Sequence, residues 1–99
     1  MPYYPDQPFF LQHLGQEFLL PDAHEVLLLL SCQDAGSNEI QEIFSVILRG
    51  PRDHFLPQRT YRFEKEGLEP FDMFIVPVGH DRQGIYYEAF FNRHRSGPA

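Results

Sequence analysis

Along the chain, the spacing of apolar side chains changes character once, near Gly15. Before it, Phe9, Phe10, His13 and Leu14 recur at i, i+3 and i+4, which is one face of a helix. Asp6 suits an N-cap, Pro8 falls in the first turn where its missing N–H costs nothing, and Gly15 is placed to stop the helix. This predicts a helix over 6–14, preceded by an arm over 1–5 that Pro2 and Pro5 keep extended. Two turns are marginal alone in water, so the helix must dock Phe9, Phe10 and Leu14 onto something larger.

Beyond Gly15 the apolar runs are short, rich in aromatic and β-branched residues, and bounded by Gly, Pro, Asp or Asn. Six strands are predicted, over 16–20, 24–32, 39–49, 59–66, 72–78 and 85–92. The fourth alternates cleanly, with Tyr61 and Phe63 on one face and Arg62 and Glu64 on the other. The connections are mostly too short for parallel crossovers, and no second helical pattern exists to make one, so sequential antiparallel pairing is expected. Six twisted strands with an apolar face must roll up to bury it. The predicted fold class is therefore all-β: a six-stranded antiparallel meander forming a small barrel or highly curved sheet, with one short N-terminal α-helix plugging an end or covering a face. A single domain over 1–99 follows, with the sheet over 16–92 and a polar, frayed tail over 93–99.

Two strands are apolar on both faces. Phe44, Val46 and Leu48 oppose Ile43, Ser45 and Ile47, while Ile85, Tyr87, Ala89 and Phe91 oppose Tyr86, Glu88 and Phe90. The five consecutive apolar residues of 26–30 raise the same question, because alternating side chains cannot all point into one core. The second face is expected to be covered by the helix, covered by another subunit, or left in water.

Composition narrows the function classes. The chain has 99 residues, 15% of them aromatic, with 8 Lys+Arg against 14 Asp+Glu, a net charge of −6. Clustered cations are needed to displace counterions from nucleic acid or to hold an anionic membrane, so neither partner is expected. The N-terminus lacks a basic, then apolar leader pattern, and no apolar run approaches the roughly 20 residues of a spanning helix. One cysteine, Cys32, forms no intrachain disulfide. A soluble, cytoplasmic protein is expected.

Catalytic signals are weak. His13, His24, His54, His80 and His94 are scattered without HxH or HExxH spacing, so no metal is expected. Asp53-His54 and His80-Asp81 place an acid beside an imidazole, and Glu64 and Glu66 share a strand face, but solvated polar side chains explain each. The glycines of 79–84 have phosphate-loop spacing without the following Lys-Ser/Thr, and a hairpin with positive φ at its glycines fits better. Cys32 has Gln33 and Asp34 beside it, the reverse of the electropositive setting a reactive thiol needs. Ser31, Ser37 and Ser45 lack a GxSxG context. Glu88, inside the most aromatic strand, calls for neutralisation by Arg49, Arg59 or Arg62, or else sits in a pocket.

The runs FSVILRGP (44–51), LPQRTY (56–61), FIVPVG (74–79) and YEAFFN (87–92) resemble a family of small bacterial domains of unknown function with the pattern FSxx(F/L)RGP, LxQxTY, (F/L)xVPxG and YEAxFN. With the region around Gly15-Gln16-x-Phe18 the resemblance covers most of the chain. It implies no catalytic residues. It favours an assembly role, since some members are associated with proteins resembling phage tail-collar components. Arg59 departs from the family pattern, which has a small residue before the threonine, and this puts a shared loop conformation in doubt. The motif residues read as fold-defining, with the Tyr61 and Tyr87 hydroxyls available to satisfy loop backbone groups.

The expected function is a non-catalytic interaction or assembly module, binding a protein partner or itself as a homo-oligomer, without a cofactor. An apolar-ligand barrel is the alternative, and a hydrolase on acids and histidines stands third. The candidate interaction or pocket residues are Tyr61, Tyr86, Tyr87, Glu88, Phe90 and Arg49.

Overall fold

A computed structural model describes residues 5–95. Helix α1 (Gln7–Gln12) is followed by β1 (Glu17–Leu20), a 3-10 turn (Pro21–Ala23), β2 (Glu25–Asp34), β3 (Gln41–Gly50), β4 (Arg59–Phe63), β5 (Phe71–Asp81) and β6 (Gly84–His94). Asp6 caps α1 by accepting the Phe9 N–H at 3.0 Å, as its position predicts. The helix stops earlier than the sequence suggests, at Gln12. The cause is tertiary: Gly15, at φ +80°, donates its N–H to the Leu29 carbonyl at 2.8 Å and so belongs to the sheet. Leu14 therefore leaves the docking face and is 42% exposed, whereas Phe10 is buried against Phe44, Phe71 and Phe91.

All six strands pair antiparallel in the order β1-β2-β3-β6-β5-β4. Leu19 and Glu64 exchange two backbone hydrogen bonds, both 2.8 Å, and bring β1 against the end of β4, so the sheet nearly closes into a barrel. The strand order corrects the expected meander, because β3 passes to β6 and not to β4. The 51–58 connection, stiffened by Pro51 and Pro57, crosses to the far side of the sheet, and the two longest two-faced strands pair from Gln41↔His94 to Gly50↔Ile85. Pairing ten-residue β3 with the five-residue β4 would leave half of that edge unsatisfied.

Inward residues from every strand fill the barrel: Phe18 and Leu20, Leu27 and Leu29, Phe44, Val46 and Leu48, Tyr61 and Phe63, Met73 and Ile75, Tyr87 and Ala89. Each fully buried large side chain contributes about 1.5–3 kcal/mol. The apolar run 26–30 is resolved by alternation and a bulge between Leu29 and Ser31, which restores Cys32 to the interior. The helix does not cover the outer faces. It plugs one end, with Phe10 inside.

The predicted tail is also revised. Arg93 and His94 lie in β6, and Arg93 is held by Glu42 at 3.1 Å and by the Pro5 carbonyl. Glu42, only 8% exposed, also accepts the Gln7 N–H at 3.1 Å, so one carboxylate ties both ends of the chain to β3. The remainder of the predicted arm and tail, 1–4 and 96–99, lies outside the described residues.

Candidate functional site

The six residues singled out from sequence divide into three groups. Tyr61 and Tyr87 point inward and hold the 51–58 connection: the Tyr61 hydroxyl donates to the Pro57 carbonyl at 2.7 Å, and the Tyr87 hydroxyl accepts the Leu56 N–H at 3.0 Å. Burial pushes both phenols above their ordinary range. Arg59, the departure from the family pattern, opens β4 and lays its guanidinium over the Tyr61 ring at 4.8 Å.

Arg49 and Tyr86 brace the β5–β6 hairpin. Arg49 donates to the Gln83 side chain at 3.1 Å, and the Tyr86 hydroxyl donates to Asp81 at 2.7 Å. That bond holds the Asp81 carboxyl below its usual range and raises the Tyr86 phenol. Residues 79–84 form a hairpin end with Asp81 opposite Gly84, as predicted, and β6, not a helix, follows. Gly79 lies within β5 without the positive φ expected of it; Gly84 has it.

Glu88 and Phe90 face outward. The expected neutralisation of Glu88 is not found: Arg49 serves Gln83, Arg62 donates to Glu64 at 2.6 Å, and Arg59 covers Tyr61. Glu88 sits half-buried between Ile47 of β3 and Val76 of β5. Phe90 is 59% exposed, and Phe74 of β5 is 50% exposed. The two phenylalanines flank a groove of about 450 Å³ that also touches Met73, Phe91, Asp72, Asn92 and Arg93. The floor residues Met73 and Phe91 point inward, so the groove is a gap in the barrel wall.

The histidines do not converge. His54 Nδ1 lies 2.6 Å from the Glu25 carboxylate, a contact across 29 residues that sequence adjacency to Asp53 does not suggest. This dyad has an acid and an imidazole, but among the described residues no Ser, Thr or Cys is bonded to it. His13 bonds the Phe9 carbonyl at 2.7 Å, and His24 occupies a left-handed turn position. His80 joins Arg52, Phe55, Pro77, Gly79 and Ile85 around a second groove of about 470 Å³. Glu64 and Glu66 do share a third, of about 670 Å³ at the β1–β4 closure, where Glu64 is neutralised by Arg62. Among the described residues no group of three or more His, Cys, Asp or Glu could hold a metal ion, and no helix is long and apolar enough to cross a membrane. Cys32 is buried, and desolvation followed by the nearby Glu42 and Asp34 charges pushes its thiol up to about 11.

Two structural features escaped sequence reasoning. Glu42 was findable, since it stands two residues before Phe44 on the inward register of β3. Phe74 as the partner of Phe90 was not, because it depends on the bulged β5–β6 register and on the ladder stopping at Val76↔Glu88.

A family model described as "Domain of unknown function (DUF6916)" matches residues 6–91. Neither the curated proteins nor the solved structures contain a match to this chain.

Proposed function

The chain belongs to the DUF6916 family, whose description assigns no activity, and we propose from the geometry that it is a non-catalytic protein-interaction module working through the outer surface of β5 and β6. The supporting observation is the exposure of Phe74 and Phe90 on either side of a gap in the barrel wall. Large aromatics left in water beside one another are a common property of binding surfaces and a liability elsewhere. The filled interior weighs against the apolar-ligand reading, because Tyr87, Phe44 and Phe10 occupy the space such a ligand would need. The Glu25–His54 pair is the best feature of the hydrolase reading, yet it lacks a bonded nucleophile among the described residues. An assembly role, as implied by the resemblance to tail-collar-associated domains, and a cytoplasmic setting form part of the same proposal.

The test is site-specific photocrosslinking in the native host. A photoreactive phenylalanine analogue at position 90 is expected to give discrete adducts with another protein or a second copy. The same analogue at exposed Gln33 on β2 should give none. Equal labelling from both positions, or adducts from neither, overturns the proposal.

A further inference from the structure

The proposed interaction surface also specifies the form of its partner, an inference that rests on the module reading. β6 pairs with β3 from Ile85 to His94, but with β5 only from Asp81↔Gly84 to Val76↔Glu88. β5 in turn pairs with β4 from Ile75 to Phe71. Residues 71–75 of β5 and 89–94 of β6 thus each have a strand neighbour on one side only. Between these two half-edges lies the groove walled by Phe74 and Phe90.

Alternation fixes which backbone groups face the gap. Arg95 donates its N–H to Ile40 at 2.8 Å, so the odd-numbered residues of β6 turn their N–H and C=O toward β3 and the even-numbered ones toward β5. Glu64 exchanges both its bonds with Leu19 of β1, so Tyr61 and Phe63 turn theirs toward β5, where Met73 and Phe71 receive them. The intervening β5 residues, Asp72 and Phe74, then face β6. The amides and carbonyls of Asp72, Phe74, Phe90 and Asn92 therefore point into the opening and belong to no ladder, which is the requirement for adding a strand.

Charge selects among strands. Asp72 and Glu88 flank the two phenylalanines, and neither forms an ion pair among the described residues. Arg62, opposite Asp72 in register, gives its Nε to Glu64, and the Arg93 guanidinium is taken by Glu42 and the Pro5 carbonyl. A second copy would bring a further net −6 to this acidic rim. We infer that the β5–β6 gap accepts an extended segment of another protein, apolar at alternate positions and carrying Lys or Arg beside them. Its backbone would pair with Phe90 and Asn92 on one side or with Asp72 and Phe74 on the other.

The probe is a displayed library of random decapeptides selected on the full chain. Enrichment of sequences alternating apolar residues with Lys or Arg is expected. A synthetic peptide of that sequence should slow amide exchange at Phe90 and Asn92, or at Asp72 and Phe74, by tenfold or more. Binding should fall at least tenfold when alternate peptide amides are N-methylated, and, where Phe90 and Asn92 are the protected pair, in the Asn92→Pro variant, where proline removes a gap-facing N–H and leaves the β3 ladder intact. Phe74→Ser/Phe90→Ser, two exposed changes, provides the same loss without a backbone change. No enrichment, enrichment of acidic sequences, protection at other amides, or protection by raised protein concentration alone each overturns the inference, the last assigning the gap to a second copy. Crosslinks from position 90 without any selected peptide would remove the strand-addition inference and leave the module reading standing; a selected peptide without crosslinks in the host would do the reverse.

Discussion

Tyr87→Phe isolates one hydrogen bond in the middle of the molecule. The Tyr87 ring is fully buried, and its hydroxyl is the partner of the Leu56 N–H at 3.0 Å, itself buried with Leu56. Phenylalanine keeps the ring and its packing and removes one oxygen. The Leu56 donor is then left without a partner away from water, which costs about 1–3 kcal/mol. The oxygen-sized void adds a few tenths, at about 24 cal/mol per Å³ of cavity. A loss near 2 kcal/mol corresponds to roughly 8–16 °C in Tm for a domain of this size. Urea unfolding should show it as a lower midpoint at unchanged slope. Native-state exchange should show the Leu56 amide accelerated more than its neighbours. Tyr61→Phe is the internal control: it frees the Pro57 carbonyl, a half-exposed acceptor that water can reach, and should cost less. If the two variants are equally stable, or Tyr87→Phe loses under about 0.5 kcal/mol, the 51–58 connection is not held as described.

Gly84→Ala should be among the most damaging single-methyl additions. A Cβ there would lie 2.2 Å from the Gly50 carbonyl oxygen, a backbone atom that cannot swing aside, and a loss of about 3 kcal/mol or failure to fold is expected, read by calorimetry. Cys32 should alkylate at pH 8 about a hundredfold more slowly than an exposed thiol, since its thiol is raised from 9.0 to about 11 and thiolate falls tenfold per unit. A thiol held protonated in the fold contributes stability in full below pH 9.0, and that contribution is lost as pH rises toward about 11. Cys32→Ala should accordingly flatten this alkaline decline in a denaturation series. An undiminished decline would show that the buried phenols carry it.

Local chemistry was legible and pairing was not. Asp6 and Pro8 fixed where α1 begins because capping depends on neighbours in sequence, whereas its end moved when Gly15 bonded Leu29, a contact made only in the fold. The strands were readable from alternation, and so were the loop-binding roles of the Tyr61 and Tyr87 hydroxyls. Their order was not, since short connections imply neighbours and the 51–58 crossing breaks that rule. The bulges at Leu29/Ser31 and Pro77/Gly79 reverse the face of everything beyond them and exist only relative to a partner strand. The gap beside Phe90 was hidden for the same reason: Phe90 was conspicuous in sequence, but its place across from Phe74 and the missing ladder between them depend on the bulged β5–β6 register.

We attribute the gap to the end plug. Phe10 reaches the inward rings of β5 and β6 together, 6.1 Å from Phe71 and 5.6 Å from Phe91, at the end where the β5–β6 ladder has already stopped. A ring lodged between the inner faces of two adjacent strands acts as a spacer, because strands 4.7–4.9 Å apart, as a closed ladder requires, leave less room for it. Phe10→Leu shrinks the spacer at a cost of about 1–2 kcal/mol, lost transfer plus cavity, small against the roughly 5–15 kcal/mol of a typical domain. The ladder should then extend past Val76↔Glu88, and in the free protein the Phe74 and Phe90 amides should exchange more slowly than in the parent, against the general acceleration that a destabilised protein shows. Acceleration at those two amides in step with the rest would mean that the curvature of the sheet alone, and not the aromatic plug, holds the wall open.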